Sequence, residues 1–247
     1  MKKKRWILII VFLLFVISIT ISLYINNSAN NKSKLKESFL KWENGEVSSE
    51  QEKLNIINRL NKYLYKHSDI SNEEIYDICD SFKIFEKNKL RILQYSENIL
   101  FYGSSAKSSF QIAMYDNNVK TIINNGTIYI NEVRQVDDRT YYIYGSNYQF
   151  SNLAGVIILR LYIQNNVIEL TKNVISKDNL PSEFSFELAN ASSAGPYDYV
   201  ETLYYKNANS FYFNDISEDG SHITCTIGDI EHYFILENDG LYHYQAN

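Results

Sequence analysis

The chain has 247 residues, 45% hydrophobic and 15% aromatic, with 24 Lys and Arg against 29 Asp and Glu and a net charge of −5. That length can bury the core of one large domain or two small ones. Every acid lies from Glu37 onward while four cations precede Trp6. The bulk is therefore more acidic than the total and lacks the clustered Lys and Arg that capture phosphate backbones, so nucleic acid is not an expected partner.

The first segment is "KKKRWILIIVFLLFVISITISLYINNSANN", with no charge between Trp6 and Tyr24. At about 1.5 Å per residue a helix of that run reaches roughly 28 Å, close to the hydrocarbon thickness of a bilayer. Cleaved leaders usually have a shorter apolar core, about 7 to 15 residues. The run predicts a retained signal-anchor over 6–25 that contacts membrane lipid, with a basic cytoplasmic tail over 1–5. Cations on the N-terminal side set the orientation: the N-terminus cytoplasmic, the remainder extracytoplasmic. Residues 26–33, "NNSANNKS", lack periodicity and read as a short tether.

Helical spacing marks a layer over 34–88. Leu35, Phe39, Leu40 and Trp42 suggest a first helix. Ser49 with Glu52, and Ser71 with Glu74, are capping-box pairs. Each precedes an apolar stripe, Leu54, Ile57, Leu60 and Leu64 in one and Ile75, Ile78, Cys79 and Phe82 in the other.

From 89 to 247 the apolar period changes from 3.6 to 2, which predicts an antiparallel β domain and an α+β fold class. "QIAMYDNNVKTII", "EVRQVDDRTYYIYG", "RLYIQNNVIELT", "FNDISEDGSHITC" and "FILENDGLYHY" each read as two strands about a tight turn. Asn and Gly in those turns tolerate the positive φ that short hairpins need. The pattern fits a sandwich, a barrel or a propeller-like meander. Val156–Ile163, apolar apart from Arg160, predicts a central strand covered on both faces. The small-residue loop from Ala189 to Pro196 is the first place to look for a binding edge, and Asn125 and Asn190 begin Asn-x-Ser/Thr triplets.

Cys79 and Cys225 both fall in apolar alternations and point toward a core. Outside a membrane a disulfide between them is permitted, closing a long loop with a gain of a few kcal/mol. The four histidines have no metal-ligand spacing. Asp215, Ser217, Asp219 and Gly220 resemble half a calcium loop, but Thr226 stands where the bidentate Glu is needed, so the segment reads as a hairpin turn. Serine-nucleophile, P-loop and dinucleotide motifs are absent from the sequence, and no catalytic residue, metal or cofactor is assigned. The expected function is a non-catalytic, membrane-anchored binding module for a protein or peptide at the outer membrane surface. The alternative is a glycan-binding or glycan-hydrolysing protein using exposed tyrosines of "TYYIYGSNYQF", namely Tyr142, Tyr144 and Tyr148. Strand alternation allows only part of that set to face solvent together.

Overall fold

The computed structural model describes residues 2–96, 109–124, 128–149, 153–171, 174–188, 201–205, 211–227 and 229–246. Three helices come first: α1 (Lys2–Glu43), α2 (Glu50–Lys66) and α3 (Asn72–Ile78). The Ser49 hydroxyl accepts from Glu52 N–H, and Ser71 with Glu74 forms the full reciprocal box, so both helices start where the capping residues satisfy their unpaired N–H groups. Three open antiparallel sheets follow, the first and third of them simple meanders. The first is β1 (Phe82–Lys87), β2 (Leu90–Ser96), β3 (Ser109–Tyr115) and β4 (Asn118–Asn124). The second contains β5 (Ile128–Gln135), β6 (Thr140–Gln149), β7 (Leu153–Gln164), β8 (Val167–Thr171), β9 (Phe184–Leu188) and β10 (Glu201–Tyr205), in the order β5-β6-β7-β10-β9 with β8 beside β7. The third is β11 (Phe211–Ile216), β12 (His222–Ile227), β13 (Ile230–Leu236) and β14 (Tyr242–Gln245).

Turn chemistry fixes the registers. Asn165 and Asn166 both have positive φ, +50° and +62°, so Gln164 pairs with Val167 across a two-residue turn whose twist matches its strands. Asp116 at +46° does the same between β3 and β4, and Gly240 at +77° lies in the turn before β14. Side-chain alternation then stacks four layers. Leu35, Phe39 and Trp42 of α1, with Leu60, Leu64, Ile75 and Ile78, pack on Leu93, Tyr95, Phe110 and Ile112 of the first sheet. The opposite face of that sheet, with Ile92 and Ala113, meets Ile143, Ile157, Leu159 and Leu161 of the second. Tyr142, Tyr144, Val156 and Ile158 on the far side of the second sheet meet Ile223, Cys225, Phe234 and Tyr242 of the third. Strand β7 is thus covered on both faces, as its nearly unbroken apolar run implies.

Two glutamines make the junction between the first and second sheets chemically unusual. Strand β5 is an edge strand buried against the first sheet, so its outward backbone groups need partners. Gln94 Oε1 accepts from Ile130 N–H at 2.5 Å, and Gln111 Nε2 donates to Ile128 carbonyl at 2.8 Å and to Gln94 Oε1 at 3.3 Å. The paired amides act as a surrogate strand.

Three sequence-based expectations are corrected here. Among the described residues no helix is long and apolar enough to cross a membrane. This overturns the signal-anchor over 6–25, its lipid contact and the single-pass, extracytoplasmic location drawn from it. Second, the expected tether over 26–33 is helical, because α1 runs without a break to Glu43. Lys32 and Lys36, on successive turns of it, clamp Asp77 of α3 at 2.9 and 2.7 Å. Third, the helical layer stops at Ile78. Cys79 is already extended at φ −157° and ψ 120°, and Phe82 opens β1. The spacing of Phe82 from Ile75 fitted a helical stripe only because both residues enter the same core from different elements.

Candidate functional site

Two of the three tyrosines singled out from the sequence, Tyr142 and Tyr144, are packing residues. Tyr142 and Tyr144 are 3% and 0% exposed, so the two cannot form a solvent-facing stacking line for a sugar. Tyr142 sits edge-on to Tyr242 at 5.4 Å. Tyr144 O–H donates to the Tyr242 hydroxyl at 2.6 Å, and that hydroxyl donates to the Gly220 carbonyl at 2.5 Å. Burial pushes both phenols well above their ordinary pKa, so they remain donors at neutral pH. The side chain of Tyr148 lies outside the described residues, as do Asn125 and the loop from Ala189 to Pro196, including Asn190.

Cys79 and Cys225 are both buried free thiols, not a disulfide. The reason is topological: Cys79 belongs to the core beneath the helices and Cys225 to the core of the third sheet, with the first and second sheets between them. Burial holds both in the neutral form, Cys79 being pushed up to about 12 with the Glu43 carboxylate adding to the effect. Neither thiol is poised as a nucleophile.

A small donor cluster surrounds Cys79. Its thiol donates to Glu43 Oε1 at 3.3 Å, Ser81 O–H donates to the same oxygen at 2.5 Å, and donor atoms of Glu43, Cys79 and Asp80 lie within 4.8 Å of one another. Sequence spacing could not reveal this set, because Glu43 ends α1 and the other two follow α3, 36 positions on. A cation there would have to displace the proton of a thiol that burial keeps protonated.

The histidines are held separately. His67 ends α2, and its Nε2 lies 3.1 Å from the Ser28 hydroxyl. His222 is exposed, with Nδ1 3.3 Å from Ser221 Oγ. His243 Nε2 meets Asp239 Oδ2 at 2.9 Å; that hydrogen bond, then the charges of Glu237, Asp239 and Asp178, raises its pKa. The Asp215–Gly220 segment enters a hairpin turn in which Gly220 takes φ +69° and Asp219 accepts from Ser221 N–H at 2.9 Å.

His232 is different, and sequence reasoning passed over it. It is 8% exposed, on the inner face of β13 two residues before buried Phe234. That i, i+2 spacing was the available signal. Phe184 of β9, Tyr205 of β10 and Tyr244 of β14 surround its ring at 5.3, 5.6 and 5.9 Å between centroids. Nδ1 lies 3.1 Å from Tyr244 Oη, whereas Nε2 is buried without a hydrogen-bond partner among the described residues. Burial lowers the imidazole pKa below its ordinary value.

At the other end of the molecule lies a surface feature of opposite character. Phe12, Leu13, Leu14, Phe15, Val16 and Ile17 of α1 are 65, 53, 62, 62, 42 and 52% exposed. Six consecutive helical positions advance about 100° each, so these side chains cover the whole circumference of the helix. No known family matches the chain, and neither a curated protein nor a solved structure is similar to it.

Proposed function

We propose that the chain is a non-catalytic interaction module whose layered body carries an apolar helical arm for docking to a protein partner. The observation that carries this reading is the exposure of Phe12–Ile17. Contiguous apolar surface is rarely left bare in water, because burying a side chain such as Leu or Phe is worth about 1.5 to 3 kcal/mol. The three sheets packed face to face fit this role as a layered body that holds the root of the arm rigid. At that root Leu35, Phe39 and Trp42 lock α1 into the first core.

The test is a photo-crosslinking amino acid at Leu14, with exposed Glu218 as the control position. A reproducible protein adduct at Leu14, lost when Phe12, Leu14 and Phe15 are replaced by Ser in chain carrying the crosslinker at Val16, supports the reading. Equal labelling from Leu14 and Glu218, or an adduct at Val16 that survives the serine replacements, overturns it.

A further inference from the structure

We propose that His232 is an acid-sensitive latch: protonation of its imidazole releases the β9–β10 ribbon from the third sheet. The geometry is that of an interface between the ribbon and the third sheet with a lone imidazole inside it. Among the described residues strands β9 and β10 pair along five registers with each other, and β10 pairs with β7 at Leu203↔Val156, with Thr202 and Tyr204 lying against Gly155. The ribbon meets the third sheet through a ring cluster in which Phe184 and Tyr205 close over His232, Phe234 and Tyr244.

A neutral imidazole suits that cluster. One ring nitrogen meets the Tyr244 hydroxyl and the other lies against apolar surroundings. An imidazolium has two N–H donors and a full charge, and burying them without a second acceptor or a counter-charge is strongly unfavourable. The titratable groups facing the ring are Tyr244 from β14, Tyr205 from β10 and Cys225 from β12, two phenols and a thiol with no carboxylate among them. Among charged groups on the β9 flank, Lys177 lies over the Phe186 ring and Glu183 acts on Tyr244, while burial lowers the pKa of the imidazole itself. Glu231 and Tyr233, the neighbours on β13, bond to each other on the opposite face.

The direction follows from linkage. With the ribbon closed the imidazole resists protonation, and with the ribbon open it titrates near the ordinary value of about 6.5. The latch is fully engaged above that pH. As pH falls below it, the open fraction grows about tenfold per unit until the lowered pKa of the closed state is reached.

Hydrogen exchange by mass spectrometry on the full chain between pH 7.5 and 4.5, corrected for intrinsic rates, tests the proposal. Opening of 184–188 and 201–205 is expected to rise about tenfold per unit below pH 6.5 while β2 and β3 stay unchanged. His232→Gln, which keeps a polar contact to Tyr244 but cannot take a charge, is expected to remove the dependence. Should that variant not fold, the wild-type ring titration by NMR decides, with its midpoint expected to coincide with ribbon opening. Flat protection across the range, retained acid opening in His232→Gln, or ring titration without ribbon opening each overturns the latch.

Discussion

Replacing Gln94 with Leu, which is close in volume and apolar, isolates the surrogate-strand role of the glutamine pair. In the native protein Gln94 Oε1 accepts from Ile130 N–H, its Nε2 reaches the Ile130 carbonyl at 3.5 Å, and Gln111 Nε2 approaches the same Oε1. Gln94 and Ile130 are 4% and 1% exposed, so water cannot take over these contacts. Leaving one buried backbone N–H unpaired costs about 1 to 3 kcal/mol, and losing the weaker amide contacts adds about 1 more. The expected loss is roughly 2 to 4 kcal/mol, offset only slightly by the extra apolar surface of Leu. It is read as a fall in urea midpoint at unchanged slope. Gln94→Glu adds a sign. A protonated acid can both accept from Ile130 N–H and donate an O–H, whereas a carboxylate is a buried charge, so this variant is expected to regain stability as pH falls from 7 toward 4. If Gln94→Leu lies within about 0.5 kcal/mol of wild type, or if Gln94→Glu weakens as pH falls, the amides do not hold β5 and the account of this junction is wrong.

The hydroxyl relay between the second and third sheets gives an ordering. Tyr242→Phe removes two hydrogen bonds and is expected to cost about 2 to 4 kcal/mol, against about 1 to 2 for Tyr144→Phe, with coupling of at least about 0.5 kcal/mol in the double-variant cycle by urea unfolding. At Gly145 a Cβ would collide with the Tyr129 backbone carbonyl and approach Ile157 Cγ1 at 2.9 Å. Gly145→Ala is therefore expected to lower stability by about 1 to 3 kcal/mol by thermal unfolding, and a neutral result would mean that β5 and β6 separate easily. His243 has a raised pKa because its Nε2–H donates a hydrogen bond to the Asp239 carboxylate. Its contribution is present below the unfolded value of about 6.5 and lost as pH rises through the higher folded value, and NMR titration of Asp239→Asn is expected to show the midpoint falling back toward 6.5.

Local rules with short reach were readable from the sequence. The capping pairs at Ser49 and Ser71, and the turns at Asp116, Asn165-Asn166, Gly220 and Gly240, depend on residues no more than a few positions apart. The two-sided burial of β7 was likewise visible in its own composition. What misled was continuity between elements. Ile75, Ile78, Cys79 and Phe82 share a core, yet a helix C-cap at Cys79 separates the first three from the last. The polarity of Asn26–Ser33 suggested a break, whereas helix propagation and the clamp on Asp77 from Lys32 and Lys36 carry α1 through it.

The site residues were harder for a reason rooted in the layering itself. In a stack of sheets an inward-facing position is buried whatever its chemistry, so tyrosines in a dense run become mortar between sheets before they can become a surface. Tyr142 and Tyr144 are on that side of β6 and meet Tyr242, almost a hundred positions away. Period-2 reading assigns a residue to a face but not to what the face meets. For His232 that missing fact decides the chemistry: an outer face would leave an ordinary, solvated imidazole, whereas the inner one encloses it with Phe184 and Tyr205 from a ribbon of another sheet. A polar ring placed where only apolar ones are at ease is a conflict between local chemistry and global packing, and such conflicts are where a fold gives up some stability in return for a response.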